Sequence, residues 1–239
     1  MNYIKGPVIS RRLGRSLGID LLPANICSED CLYCECGPTT TLTGERKEYV
    51  PAAEVIKELE QILARDPQAD FITFSGHGEP TLHSKIGEII AYLKNNYPHY
   101  RVAVLTNSTL LTENKVQQEL KNIDLLVPSL DAGCEKTFQK ICQPVKGITL
   151  DNIVGGIKGF QEIFQGKIWL EILFIKGLND SKEEIIEFKK LVSKIAPDRV
   201  DLNTINRGPA YSGYKPVSEK KLTEIAAKFP EEIEVEIFP

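Results

Sequence analysis

From about residue 50 onward, short apolar runs alternate with longer segments of helical period. This alternation is typical of βα units, in which each helix packs back on a parallel sheet. It predicts an α/β fold with mainly parallel strands. One further apolar run precedes this region, which brings the number of predicted strands to six. They lie at 17–22, 71–75, 101–106, 124–129, 168–175 and 200–204.

Helical segments fill the intervals between these runs. Pro67, Pro98 and Pro197 each follow such a segment, as expected where a helix ends. A last helix at 216–229 and a short last strand at 233–238 complete the pattern. We therefore expect one domain over residues 1–239, with a short N-terminal extension and a C-terminal helix and strand. The remaining helices are predicted at 53–65, 85–96, 112–121, 134–164 (interrupted) and 181–195.

The overall charge and the N-terminal sequence limit the partners of the chain. A formal net charge of −4 over 239 residues gives no general attraction for a polyanion, although local basic patches remain open. The first residues form no continuous apolar stretch, and no segment approaches the ~18 apolar residues of a spanning helix. We expect a cytoplasmic protein without membrane association.

Four of the six cysteines lie within ten residues, from Cys27 to Cys36. Such crowding indicates a metal site more than a disulfide framework. Cys27, Cys31 and Cys34 have the spacing CxxxCxxC directly after the first predicted strand. A short loop with this spacing can hold a cubane cluster of four irons through three thiolates, which leaves one iron without a protein ligand. Such an open coordination position is typical of a catalytic metal site.

Other interpretations of the cysteines stay open at this point. Structural zinc usually requires a second ligand pair, which this sequence lacks. A closed cluster with Cys36 as fourth ligand is awkward because one residue separates Cys36 from Cys34. A set of buried cysteines without a metal is a further interpretation, but it fits poorly with the polar residues that lie between them. Cys134 and Cys142 are predicted to be thiols without a metal role, since two thiols do not complete a second site.

The cysteine loop resembles the signature of the radical S-adenosylmethionine (SAM) superfamily, CxxxCx(aromatic)C, with Tyr33 at the aromatic position. The resemblance implies a partial (β/α)6 barrel of the radical SAM type. It also implies a [4Fe–4S] cluster and SAM as cofactors, with Cys27, Cys31 and Cys34 as cluster ligands. Reductive cleavage of SAM would give a 5′-deoxyadenosyl radical that removes hydrogen from a substrate. An external one-electron donor, flavodoxin- or ferredoxin-like, follows from the same resemblance.

The second predicted strand is followed by a glycine-rich turn, GHGEP at 76–80. In the family, the corresponding Gly-Gly-Glu stretch holds the amino group of the methionine moiety. The resemblance therefore assigns Gly78 and Glu79 to cofactor binding. His77 replaces the first glycine of that stretch, and its role is open.

Polar residues follow the third and fourth predicted strands. Asn107, Ser129 and Asp131 lie where ribose or the methionine carboxylate is commonly bound in the family, and Tyr33 belongs to the same cofactor-side set. The alternative for the three residues after the strands is capping of the next helix. Glu171 within the fifth strand is expected at the barrel interior or at an edge.

The substrate is the least constrained part of the sequence analysis. In its sequence motifs the chain resembles uncharacterised relatives of wyosine base synthases of transfer RNA. In its length it resembles the glycyl radical activating enzymes. A protein, a peptide or RNA is the expected substrate class. Arg11, Arg12 and Arg15 could contact phosphates, and Arg207 could contact an anionic group. A non-catalytic electron-transfer protein is the alternative from a different class, and the glycine-rich turn argues against it.

Overall fold

The computed structural model describes residues 3–23 and 25–239. Ten strands lie in this part of the chain: β1 (Ile4–Ser10), β2 (Gly14–Ile19), β3 (Ile26–Cys27), β4 (Thr41–Leu42), β5 (Phe71–Phe74), β6 (Arg101–Thr106), β7 (Leu125–Pro128), β8 (Lys167–Phe174), β9 (Arg199–Thr204) and β10 (Glu234–Phe238). The helices are α1 (Ala52–Leu63), α2 (Ile86–Asn96), α3 (Asn114–Leu120), α4 (Glu135–Ile141), α5 (Leu150–Gln161), α6 (Lys182–Ile195) and α7 (Glu219–Ala226). A short 3-10 turn covers Pro80–Leu82.

Eight of these strands form one sheet in the order β1-β2-β5-β6-β7-β8-β9-β10. Every neighbouring pair from β2 to β10 is parallel, and only β1 runs antiparallel, against β2. The sheet curls strongly, because Arg12 in the β1–β2 turn reaches Glu171 on β8, at the other side of the sheet. The fold is therefore a mainly parallel α/β half-barrel, which confirms the predicted fold class.

The six predicted strands and the predicted final strand are all present, with shifted ends. The first strand is placed at Gly14–Ile19, earlier than predicted, because the chain turns at Asp20, whose side chain accepts a hydrogen bond from the Leu22 N–H at 3.4 Å. The interrupted segment 134–164 resolves into α4 and α5, whose first turn is capped by Thr149. The last helix is shorter than predicted, at Glu219–Ala226.

Strand β1 was not predicted. Its sequence contains Gly6 and Pro7, which normally argue against a strand, and its middle residues are exposed. Pro is tolerated here because β1 lies at the edge of the sheet and therefore has a neighbouring strand on one side only. The predicted N-terminal extension thus contributes an edge strand to the sheet.

The core has two parts, one on each face of the sheet. The larger part lies between the sheet and the helices and contains fully buried Phe74, Phe160, Phe174 and Phe188. The smaller part lies on the opposite face, because side chains alternate along a strand, and it lines the lower interior of the half-barrel. Its buried members are Leu13, Phe71, Ala103, Leu125 and Val127. This apolar layer closes the amino-terminal end of the barrel interior, so the carboxyl ends of the strands are left for ligands.

Strand β3, which carries Cys27, is held against the turn that follows β5. Ile26 and Gly78 form an isolated parallel bridge, and the Glu79 N–H donates to the Ile26 carbonyl at 3.3 Å. A Cβ at Gly78 would lie 1.9 Å from the Ile26 oxygen. Only glycine permits this approach of the two backbones. Among residues 3–23 and 25–239, none of the helices has the length and apolar character that a bilayer-spanning helix needs.

Gly78→Ala is expected to lower the free energy of unfolding by about 1–3 kcal/mol, because the added methyl forces β3 away from the turn. Urea denaturation of the metal-free protein measures this change. Gly155→Ala is the matched control: a Cβ at Gly155, inside α5, meets nothing within 4 Å. The control is expected to raise stability by about 0.4–1 kcal/mol. Equal effects of the two substitutions would contradict the close-approach argument.

Candidate active site

The cysteine loop is held by backbone pairing with the segment that follows α4. The Asp30 N–H donates to the Cys142 carbonyl at 3.0 Å, and the Val145 N–H donates to the Ser28 carbonyl at 2.9 Å. The Gln143 side chain adds a bond to the Asp30 carbonyl at 2.9 Å. The loop backbone is therefore fixed on both sides, by this segment and by the turn after β5.

The loop places the motif cysteines in close succession. The Cys34 N–H donates to the Cys31 carbonyl at 3.1 Å, so these two residues lie in one turn. Cys27 lies next to Asn107, whose Nδ2 is 3.6 Å from the Cys27 Sγ. The Cys36 thiol donates to the Gly76 carbonyl at 3.3 Å, beside the turn after β5. All six cysteines are free thiols.

The thiols differ in their electrostatic surroundings. Burial, with the nearby Cys31 and acidic Glu79, raises the pKa of Cys27 well above its usual range. Contact with Cys142 and, as the second cause, burial raise the pKa of Cys31 well above its usual range. Interaction with the neighbouring Cys36 lowers the pKa of Cys34 to about 7, although burial acts in the opposite direction.

Three carboxyl groups are buried around the cysteines. Glu29, Glu79 and Asp131 are each 3% exposed or less. Burial raises the pKa of all three carboxyls, and the charged neighbours that act on the Cys27 and Cys31 thiols are all acidic. A pocket of thiols and acids favours cations. Its donor set fits an iron–sulfur cluster held by thiolates, together with a positively charged ligand.

Glu79 is fully engaged with its own chain. Its Oε1 accepts from the Thr81 N–H at 3.1 Å and from the Thr81 and Thr106 hydroxyls at 2.6 and 2.7 Å, and its Oε2 accepts from the Asn107 N–H at 2.7 Å. The carboxylate therefore joins the ends of β5 and β6. Its assignment to the methionine amino group stays a prediction, as does that of Gly78.

His77 forms a polar group with two residues from the start of the chain. Its Nδ1 is hydrogen-bonded to the Asp20 carboxylate, and the Lys5 Nζ lies 3.2 Å from the same carboxylate. A Cβ at Gly76 would lie 2.4 Å from the Asp20 carboxylate, so the turn packs tightly against Asp20. His77 is thus an oriented side chain at the edge of the cysteine loop.

Asn107 connects the end of β6 to the cysteine loop. Its Nδ2 donates to the Ser28 hydroxyl at 2.9 Å, and its Oδ1 accepts from the Thr109 N–H at 3.1 Å. The next helix, α3, begins after Glu113, so Asn107 does not cap it. The capping alternative is thereby excluded for this residue.

Tyr33 and Asp131 face each other across the barrel mouth. The Tyr33 hydroxyl donates to one Asp131 oxygen, and the other accepts from the Leu173 N–H at 2.7 Å. Burial raises the pKa of Asp131 to about 7, although the Tyr33 hydrogen bond acts in the opposite direction. Ser129 lines a small recess together with Asp131. Helix α4 begins after Cys134, so neither Ser129 nor Asp131 caps it.

A cavity of about 540 Å³ runs from the cysteine loop into the half-barrel. Its volume falls within the ~300–1,000 Å³ of small-molecule sites. Tyr33 and Cys34 line it on the loop side, and Arg12, Glu171 and Asn203 line it on the sheet side. The Asn203 Nδ2 donates to Glu171 at 2.7 Å, and Arg12 pairs with the same carboxylate. Of the two positions expected for Glu171, the interior is the one observed.

Two contacts at this site have no signal in the sequence. The arginine cluster in the sequence suggests that Arg12 contacts phosphates. In the structure Arg12 instead forms an ion pair with Glu171 of the same chain. Cys142 lies with its Sγ within 4.8 Å of the Cys31 Sγ and of a Glu29 oxygen. The remaining cysteine, Cys134, bonds to Glu184 at 3.0 Å, away from the loop. Folding alone brings Cys142 to the cysteine loop.

Known proteins are similar to this chain in sequence. A UPF0026 protein of Methanocaldococcus jannaschii is 33% identical over 234 residues, which cover 97% of this chain and 72% of that protein. A protein of Brachyspira hyodysenteriae named GTPase Obg is 38% identical over 232 residues, which cover 97% of this chain and 34% of that protein. The chain thus spans about one third of that relative.

The fold is also similar to a solved structure. A radical SAM methyltransferase from Sphaerobacter thermophilus superposes with a TM-score of 0.73 at 16% identity, over 93% of this chain and 65% of that one. The model of the radical SAM superfamily matches residues 21–188, which include the cysteine loop and the strands β5 to β8. The chain is therefore a UPF0026 protein that belongs to the radical SAM superfamily of enzymes, whose cofactors are a [4Fe–4S] cluster and S-adenosylmethionine.

Proposed function

We propose that Cys27, Cys31 and Cys34 hold the [4Fe–4S] cluster and that the enzyme acts on a substrate bound in the adjoining cavity. The observation that carries the proposal is the position of Cys34, which belongs to the cysteine loop and also lines the cavity of about 540 Å³. The cluster end of the site and the substrate end therefore meet at one residue. When bound, the cluster supplies the electron that cleaves SAM and so yields the 5′-deoxyadenosyl radical.

The chain's own contribution is placement, electrostatics and exclusion of water. Gly78, Glu79, Asn107, Ser129 and Asp131 contact SAM in this proposal, at the carboxyl ends of β5, β6 and β7. Support comes from the buried carboxyls, because an acidic pocket attracts the ammonium and sulfonium groups of SAM. The apolar layer below the cavity excludes water from the side opposite the cysteine loop.

Radical SAM enzymes need an external electron donor, and for this chain we propose a flavodoxin- or ferredoxin-like protein. The name of the Brachyspira relative suggests a link to a GTPase, but this sequence contains no G-x-x-x-x-G-K-[ST] motif. We therefore propose no P-loop GTPase role for residues 1–239, which act as one radical SAM domain. The continuous main core supports the single domain.

We propose a protein or peptide as the substrate class, with RNA as the alternative. Val8 and Ile9 line the cavity and are 56% and 82% exposed, so apolar groups form part of its rim. Arg207, a rim cation, is paired with Glu35 at 3.3 Å, which reduces its attraction for phosphates. An apolar rim at which two of the three lining arginines, Arg12 and Arg207, are paired with carboxylates favours a polypeptide over a nucleic acid.

Alanine in place of Cys27, Cys31 or Cys34 is expected to abolish iron binding after anaerobic reconstitution. With dithionite and SAM, 5′-deoxyadenosine formation is expected to fall by more than about 100-fold, since loss of outer-shell groups alone costs 10–100-fold at metal sites. Iron analysis and chromatography of the nucleoside products measure the two effects.

Cys36→Ala and Cys134→Ala are the matched thiol controls for this experiment. Both are expected to retain iron and activity, because Cys36 bonds to Gly76 and Cys134 to Glu184. Iron loss in Cys36→Ala alone would support a closed four-cysteine cluster and contradict the three-ligand assignment. A wild-type protein with an intact cluster and no 5′-deoxyadenosine would contradict the enzymatic role.

Asp131 gives the metal-free protein a distinctive dependence on pH. Its pKa rises from 3.8 to about 7 on folding. Between these two pH values the folded state therefore holds a proton on Asp131 that the unfolded chain has lost. The contribution of Asp131 to stability is therefore complete below about pH 4 and is lost as the pH rises through about 7. Asp131→Asn keeps the shape and removes the titration.

We expect Asp131→Asn to gain stability relative to wild type as the pH rises from 4 to 7, on the order of 1 kcal/mol per unit. Urea unfolding of the metal-free proteins at several pH values measures this difference. Asp151→Asn, an exposed residue in the first turn of α5, is the control and should parallel wild type. Parallel curves for Asp131→Asn and wild type would show that Asp131 does not titrate in this range.

A further inference from the structure

Cys142 lies at the C-terminal end of α4 and is 2% exposed. Its Sγ, the Cys31 Sγ and a Glu29 carboxylate oxygen all lie within 4.8 Å of one another. The Cys31 thiol donates to Glu29 at 3.2 Å in the metal-free arrangement. Cys142 is therefore the third member of a buried polar group at the cysteine loop.

The position of Cys142 is fixed by its backbone. Its N–H continues the helix, donating to the Phe138 carbonyl at 2.9 Å, and its carbonyl accepts from the Asp30 N–H at 3.0 Å. One residue thus ends α4 and pairs with the cysteine loop at the same time. Because both bonds are main-chain bonds, a change of side chain at 142 leaves the register of the loop intact.

The surroundings of Cys31 contain few hydrogen-bond donors. The charged neighbours that act on its thiol, Glu29 and Asp131, are acids. A thiolate at Cys31 that ligates iron can accept a hydrogen bond, which the Cys142 thiol or the protonated form of Glu29 can supply. A buried thiol keeps its proton and remains a donor, though a weak one.

We infer that Cys142 donates its S–H to the sulfur of Cys31 and thereby raises the reduction potential of the cluster that Cys31 helps to hold. The inference rests on the proposed function in one respect, the assignment of Cys31 as a ligand. Hydrogen bonds to ligand sulfurs are among the factors that set the potential of such clusters, because they stabilise the more negative reduced state. Cys142 is thus a positioning residue and not a ligand.

The test compares anaerobically reconstituted wild type with Cys142→Ala, Cys142→Val, Cys142→Ser and Cys134→Ala. Alanine and valine remove the donor, and valine does so without leaving a void. Serine keeps a donor, and Cys134→Ala removes a thiol that bonds elsewhere. An EPR-monitored redox titration without SAM measures the potential of each cluster. We expect lower potentials for alanine and valine, partial or full recovery for serine, and no shift for Cys134→Ala.

A spectroscopic signature tests the same contact independently of potential. Proton ENDOR of the reduced cluster, in H₂O and in D₂O, detects exchangeable protons close to the iron. We expect wild type to show a coupling that D₂O removes and that is missing from Cys142→Val. Asn107 also lies near a motif sulfur, so the comparison depends on the difference between the two proteins.

The outcomes separate this inference from the proposed function. Equal potentials and equal ENDOR spectra in wild type and Cys142→Val would overturn the role of Cys142 while leaving the cluster assignment intact. Loss of iron from all three Cys142 variants, with native circular dichroism, would make Cys142 a ligand and would also overturn it. Full iron retention in Cys31→Ala would instead overturn the proposed function.

Discussion

The structure depends on the backbone pairing that holds the cysteine loop at the carboxyl edge of the sheet. On one side Ile26 touches Gly78, at a distance that no other residue at 78 permits. On the other side Asp30 and Ser28 bond to Cys142 and Val145 in the segment after α4. Neither support is a regular strand of the main sheet. The loop is thus held between the turn after β5 and the segment after α4. The parallel sheet determines where both of these lie, so the geometry of the loop follows from the fold.

Burial of acids beside the loop has an energetic consequence. Glu29, Glu79 and Asp131 have raised pKa values because burial disfavours their charged forms. Such an arrangement is unfavourable for the metal-free chain and favourable for a cation that enters it. Glu79 offsets part of this cost through its bonds to Thr81, Thr106 and Asn107. Stability and ligand affinity are therefore opposed in the same pocket, as is common at functional sites.

The parts of the fold that the sequence predicts are those with local signals. The strands β5 to β8 are largely apolar runs between helices, β9 alternates apolar and polar residues, and the cysteine spacing is a continuous motif. Strand β1 escaped prediction because Gly6 and Pro7 interrupt its pattern and its pairing is an edge effect. Cys142 escaped because a contact between distant segments leaves no local trace in one sequence. The ligand roles of Cys27, Cys31 and Cys34 and the cofactor contacts remain proposals, since they concern groups outside the chain.

The direction from which a substrate approaches follows from how the half-barrel closes. Leu13 and the inner apolar layer fill the amino-terminal end, and the β1–β2 turn bonds across to Glu171 and, through Arg11, to the Pro239 carbonyl at 2.7 Å. The Arg11 bond joins the two edges of the sheet, and Arg11, Arg12 and Glu171 line the cavity. Val8 and Ile9 also line it and leave an apolar rim open to solvent. In the proposed site a ligand would therefore enter between this rim and the cysteine loop, where Tyr33 and Cys34 line the cavity.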